Sequence, residues 1–302
     1  MSSLSRTLMH VLARQWPAWG RGCVAWLCGL LLWLPMSVLA QPHDDVLLLD
    51  GASQRVDAWP SVRIMREPGV AEPAGSAPAD ASAARAVWQQ RQSFQRPQTP
   101  YANLGPYPGV TWLRVPLRTA EGAPTQWQLY IDYALLHDVQ VSVFDAAGAL
   151  VHEDRLGSTL TFAQRSQQTR ALSSALPLQP GRDYELFLRV VTPTGQLLQV
   201  QFLQPTQVLK QESLVQAFQG MMTGLWLFML AYSLVAWIQR RQTVFLAYVG
   251  SLLAAWLFAQ ALYGQGAQWL WPQHPWLLPN LSALSPLLFV AMNSLFFISA
   301  LN

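Results

Sequence analysis

From Gln242 to Asn302 the chain carries not one Lys, Arg, Asp or Glu. A helix that meets water on one side needs a polar face, and a helix in lipid does not. Apolar runs at 217–238, 244–262 and 281–301 therefore read as three transmembrane helices, the last with Pro286 inside it. At a rise of about 1.5 Å per residue, the 22 residues of 217–238 reach about 33 Å, enough to cross a bilayer. One such run could be a buried core helix. Three in series, with no charge after Arg241, argue for lipid.

The charges that remain set the orientation. Gln239–Thr243 is the only charged loop between spans, and it holds Arg240 and Arg241. Positive loops stay on the cytoplasmic side. Ile238 is then inside, and everything before the first span is outside. The loop from Gly264 to Asn280 would face the exterior, where Trp269, Trp271 and Trp276 suit a membrane interface.

The start of the chain agrees. Arg6, Arg14 and Arg21 precede an apolar run from Cys23 to Leu34, then Pro35 and the small-residue ending Val38-Leu39-Ala40. Residues 1–40 have the order of an export signal, with an uncleaved anchor as the alternative. Without those arginines, 16 basic residues face 16 acidic ones. Nucleic-acid binding needs a basic face, so no nucleic-acid partner is expected. Both cysteines, Cys23 and Cys28, lie in the signal, so neither a disulfide framework nor a cysteine metal site is expected after it.

Between signal and spans the pattern is that of strands. Leu113, Val115 and Leu117 alternate with polar neighbours, as do Leu129, Ile131 and Tyr133, then Val139, Val141 and Val143. Successive strand side chains take opposite faces, so this is a half-buried antiparallel sheet. Val46–Leu49, Val62–Met65, Tyr184–Val191 and Leu197–Phe202 read as further strands, with turns at Pro106–Gly109, Glu121–Pro124, Ala147-Gly148 and Pro180–Arg182. Seven to nine short strands predict an all-β jelly roll or β-sandwich over 41–205. Residues 68–79 read as a solvated loop and 80–94 as a short helix capped by Asp80. Residues 206–216, with Lys210 and Glu212, read as a linker to the membrane.

Catalytic signatures are not found in the sequence. There is no Gly-x-Ser-x-Gly elbow, phosphate loop or paired zinc-ligand motif; His43-Asp44-Asp45 falls at the expected mature N-terminus, where chains are usually disordered, His137-Asp138 reads as a surface pair, and His152-Glu153-Asp154 as an exposed strand end. The expectation is a non-enzyme with no cofactor and no metal. Binding suits this domain better, with aromatic faces to stack on a ligand and Arg or Asp to hydrogen-bond it. The candidates are Trp112, Arg114, Trp127, Asp132, Tyr133, Arg165 and Arg170. Core packing is the alternative for both tryptophans. For Asp132, in an apolar strand, the alternative is a salt bridge to Arg114 or Arg165.

Several stretches resemble one known family. They are Asn103-Leu-Gly105, Trp112-Leu-Arg114, the run from Trp127 to Asp138, Phe162-Ala-Gln-Arg165, Pro180-Gly181 and the run from Tyr184 to Val190. Ala231–Val235 and Phe245–Tyr248 extend the likeness into the membrane part. Together they are similar to the bacterial seven-transmembrane receptors with diverse intracellular signalling modules, with the second type of extracellular domain. The resemblance implies a periplasmic jelly-roll sensor on a helical region in the inner membrane, usually followed by a diguanylate cyclase or histidine kinase. This sequence has three of the seven spans and no output module, so it is expected to be a sensory module or the N-terminal part of such an enzyme. A docking module for a periplasmic protein is the other alternative. Expected partners are the lipid bilayer and a small ligand, carbohydrate foremost, and a homodimer is compatible with a transmembrane signaller.

Overall fold

The computed structural model describes residues 45–68 and 81–301. The expected export signal, His43, Asp44, Asp80 and nearly all of the 68–79 loop lie outside them. The first strands are β1 (Leu47–Leu49), β2 (Arg55–Asp57) and β3 (Arg63–Glu67), followed by helix α1 (Ala81–Gln89). Next come β4 (Asn103–Pro106), β5 (Val110–Thr119), β6 (Gln126–Ile131), β7 (Asp138–Asp145) and β8 (Leu150–Leu156). The strand region closes with β9 (Leu172–Pro177), β10 (Asp183–Val191), β11 (Gly195–Leu197) and β12 (Val200–Leu203). Three long helices follow: α2 (Pro205–Arg240), α3 (Thr243–Leu262) and α4 (Leu277–Leu301).

The strands form a β-sandwich. One sheet runs β1-β5-β10-β7-β8, with β3 also on β5, and the facing sheet runs β2-β12-β6-β9. β1 joins β5 in parallel, and the other ladders are antiparallel. The alternation seen in sequence fills the space between the sheets. Leu113, Val115, Leu117, Val139, Val141, Val143, Leu186 and Leu188 point in from one, and Trp127, Leu129, Ile131, Val200 and Phe202 from the other.

Each sheet also buries its outer face. On the first, Trp112, Phe144 and Phe187 pack under Ala84 and Val87 of α1, with Phe94 edge-on to Phe187. Gly148, at φ +82°, turns the β7–β8 hairpin where a Cβ would meet the Trp88 ring. On the second, Tyr130 points outward and is covered by Val208 and Glu212, four residues apart on one face of α2.

That cover changes the reading of the linker. Residues 206–216 are helical and belong to one 36-residue helix that runs unbroken to Arg240. Pro205 sits at the helix start, where its missing N–H and fixed φ fit. The apolar and hydrogen-bonded face that Val208 and Glu212 find on the sheet holds the first turns helical. Arg241 closes the helix at φ 54°, the only non-glycine with positive φ among the described residues. α2, α3 and α4 are each long and apolar enough to cross a membrane.

α3 packs against both neighbours. Gln260 donates to Thr223 Oγ1 of α2 at 3.3 Å, and Gly250 lets Met292 of α4 approach its backbone.

Candidate functional site at the junction of sandwich and helices

The seven candidate residues fall at three places. Trp112 and Trp127 are both buried, one beneath α1 and the other between the sheets. Arg114 lies on the α1 side of the first sheet. It donates to both carboxylate oxygens of Glu185, at 2.9 and 2.8 Å, and to the Arg91 carbonyl at 3.0 Å. Asp132, Tyr133, Arg165 and Arg170 gather at the end of the sandwich that meets the helices.

Arg170 is the centre of that end. It precedes β9 and is 2% exposed. Its Nη1 donates to Asp132 Oδ1 at 2.7 Å and to the Tyr263 carbonyl, just past α3, at 3.3 Å. Its Nη2 lies 3.2 Å from the Tyr130 hydroxyl. Tyr130 donates in turn to Glu212 Oε1 of α2 at 2.7 Å. Arg170 Nε faces that same oxygen at 3.6 Å, and neither Nε nor Glu212 Oε2 has a hydrogen-bond partner among the described residues. One guanidinium thus ties β6, the loop before β9, α2 and the end of α3.

Electrostatics explain its protonation. Burial alone would lower the Arg170 pKa, but the hydrogen bond to Asp132 and the nearby Tyr130, Asp132 and Glu212 carry it above the ordinary value. Burial pushes the Tyr130 phenol far up, so it stays a donor to Glu212. Asp132 differs from the buried carboxylate expected: 35% of its side chain is exposed, and its partner is Arg170 rather than Arg114 or Arg165. It sits one residue past β6, at the rim.

Apolar contacts frame the charges. Ala134 and Leu135, in the loop after β6, pack on Ala261 of α3, Trp271 and Leu278 of α4. Tyr133 touches both this cluster and the sandwich core. Gly264, at φ +75°, allows the seat. A Cβ there would lie 2.7 Å from Ala134 Cβ and 2.8 Å from the Arg170 carbonyl oxygen. Phe162 N–H donates to the Pro272 carbonyl at 3.0 Å. Trp269 and Trp276 of the same interhelical loop stay exposed, as tryptophans at a lipid headgroup level do.

Arg165 has no carboxylate partner among the described residues. It is buried, its Nη1 reaches only the Thr169 carbonyl at 3.4 Å, and burial lowers its pKa to about 10.

The remaining polar clusters are structural in geometry. Ser174 Oγ donates to Asp154 Oδ2 at 2.6 Å and lies 3.1 Å from His152 Nε2. In a hydrolase relay the histidine bridges serine and aspartate. Here the carboxylate holds the hydroxyl directly, Ser174 is fully buried, and the contact stitches edge strand β8 to edge strand β9. Asp138 pairs with Arg155 at 2.6 Å, not with His137. Asp45 is bound by Arg96 and Arg63, at 2.6 and 2.9 Å, which lowers its pKa. No group of three possible ligands could hold a metal among the described residues.

Tyr130 and Glu212 were not singled out from sequence. Glu212 left a signal: a lone carboxylate four residues after Val208, heading a run without charge. Tyr130 left none beyond its odd phase between Leu129 and Ile131.

A β-sandwich seated on membrane-crossing helices through a buried ion network defines a membrane protein with an extracellular sensory domain. Residues 76–204 match the family described as 7TMR-DISM extracellular 2, and residues 215–302 match 7TM diverse intracellular signalling. The chain belongs to this family of receptors, whose two domains are sensory rather than catalytic. No curated protein matches the chain. Among solved structures it is similar to a glycoside hydrolase family 43 arabinoxylan arabinofuranohydrolase from Bacillus subtilis, in complex with cellotetraose. Identity is 17%, over 53% of this chain and 28% of that one, with a TM-score of 0.27. At that score the likeness bears on neither fold nor ligand.

Proposed function

We propose that this chain is the sensory part of a receptor in the bacterial inner membrane. Its sandwich lies in the periplasm, Arg240 and Arg241 lie on the cytoplasmic side, and α2, α3 and α4 are three of its spans. The sandwich binds a small ligand, carbohydrate foremost, and hands the resulting shift in packing to the helices. The observation that carries this reading is the Arg170 network, because it joins the sensory domain to two spans through buried polar bonds rather than through a loose tether.

A ligand can bias such a joint only by binding one of its arrangements more tightly than another. A place for one exists away from the joint. A groove of about 540 Å³ lies along β3 and residues 93–99, lined by Arg66, Gln95, Arg96 and Thr99. Arg66 is held over the Tyr107 ring at 4.8 Å and donates to the Leu104 carbonyl. Guanidinium and amide groups beside an aromatic suit a hydroxyl-rich or carboxylated sugar.

The test is thermal unfolding of the full chain in nanodiscs against sugars and small metabolites. A binder present at about 100 times its Kd adds roughly 2.7 kcal/mol and raises Tm, and Arg66→Ala removes the shift. A cooperative melt that no compound class moves would overturn small-molecule sensing.

A further inference from the structure

We infer that Arg170 is a two-position latch, shared between Asp132 of the sandwich and Glu212 of the first membrane helix. The inference takes its purpose from the sensory reading but its geometry from the joint alone.

The network as it stands is incomplete on one side only. Arg170 is bonded through Nη1 to Asp132 and to the Tyr263 carbonyl, and through Nη2 to Tyr130. Its Nε is buried and unbonded. Opposite it, Glu212 accepts from Tyr130 at Oε1 and leaves Oε2 buried and unbonded. The two unfilled groups belong to residues that are 2% and 6% exposed, where unpaired polar atoms are costly. The Nε to Oε1 distance is 3.6 Å. Closing it by roughly 0.8 Å would bond Nε, and a fork in which Nη2 passes from Tyr130 to Oε2 would fill the second gap.

What that arrangement gives up is modest. Asp132 is the partner at the rim, with 35% of its side chain exposed. If released, it meets water, and an exposed carboxylate needs no protein partner. Two carboxylates therefore share one cation, Asp132 at 2.7 Å and Glu212 at 3.6 Å. In the first arrangement, Arg170 holds the sandwich rim and Tyr130 holds Glu212. In the second, Arg170 holds the helix directly. Because Glu212 shares its helix face with Val208, which packs under Tyr130 and Leu203, the change moves the head of α2 against the outer sheet.

The full chain in nanodiscs, without ligand, tests this by amide hydrogen exchange over residues 206–216. Asp132→Asn weakens the rim bond and leaves Arg170 to Glu212, so protection of the α2 head should rise about three- to tenfold. Glu212→Gln removes the second position, so protection should fall by a similar factor. Tyr130→Phe frees Glu212 Oε1 and should act in the direction of Asp132→Asn, so it serves if that variant does not fold. Opposite shifts in the two directions support the latch. A loss of protection in all three variants describes a fixed structural knot and overturns it, as does no change. Opposite shifts together with an empty ligand screen would leave the latch standing and sink the sensory reading, and the reverse pattern would sink the latch alone.

Discussion

At the scale of single residues, the joint depends on positions that carry no charge at all. Gly264 adopts φ +75° against Ala134 and the Arg170 carbonyl, whereas Gly105, at φ +71°, has nothing within 4 Å of an added Cβ. Gly105→Ala should cost only the left-handed backbone penalty of about 1–2 kcal/mol. Gly264→Ala should cost that and more, because the sandwich must lift off the helices. Denaturant unfolding of the two variants, compared in nanodiscs, measures the difference. His137 gives a second residue-scale prediction. Burial lowers its pKa below the ordinary 6.5, with the nearby Leu135 backbone opposing. The unfolded chain then binds a proton that the native one refuses between 6.5 and that lowered value. Stability from this group is whole above pH 6.5 and is lost as pH falls through the window, by at most about 1.4 kcal/mol per pH unit. His137→Gln should flatten that slope in pH-resolved melts, relative to the unaltered chain.

At the scale of elements, local pattern and distant pairing separate clearly. The phases of β5, β6 and β7 were legible because alternation alone decides which side chains enter the core. The helix near residue 81 was legible from composition and ends at Gln89, with a short 3₁₀ turn at Arg91–Ser93. Charge partners were not legible. Arg114 and Glu185 stand 71 positions apart, and Asp132 and Arg170 stand 38 apart. No spacing rule links them, since they meet only once β5 lies beside β10 and β6 beside β9. The head of α2 was misread for a related reason. Gln-, Glu- and Lys-bearing residues before a span resemble a solvated tether, and only the outward Tyr130 shows that they have a surface to dock on. The prediction at this scale is that Val208→Asp frays residues 206–216 while leaving the span beyond Gly220 protected, as read by hydrogen exchange.

At the scale of the whole molecule, two cues in the sequence predict that the sandwich and the Arg240-Arg241 turn lie on opposite sides of a bilayer. The first is the export-type start, and the second is the arginine pair in the only charged loop between spans. Alkaline phosphatase fused after Leu203 should be active, and the same reporter fused after Arg241 should not. Activity at both points would place sandwich and arginines in one compartment and end the receptor reading.

The length of α2 has a mechanical consequence. Its 36 residues span about 54 Å, while the hydrocarbon layer is only about 30 Å thick. No proline interrupts it after the start, and it runs unbroken through Gly220 and Gly224. One continuous helix thus reaches from the sheet to the far side of the layer. A tilt or turn imposed at the Glu212 end would be felt along the whole rod, and first where Thr223 meets Gln260 of α3.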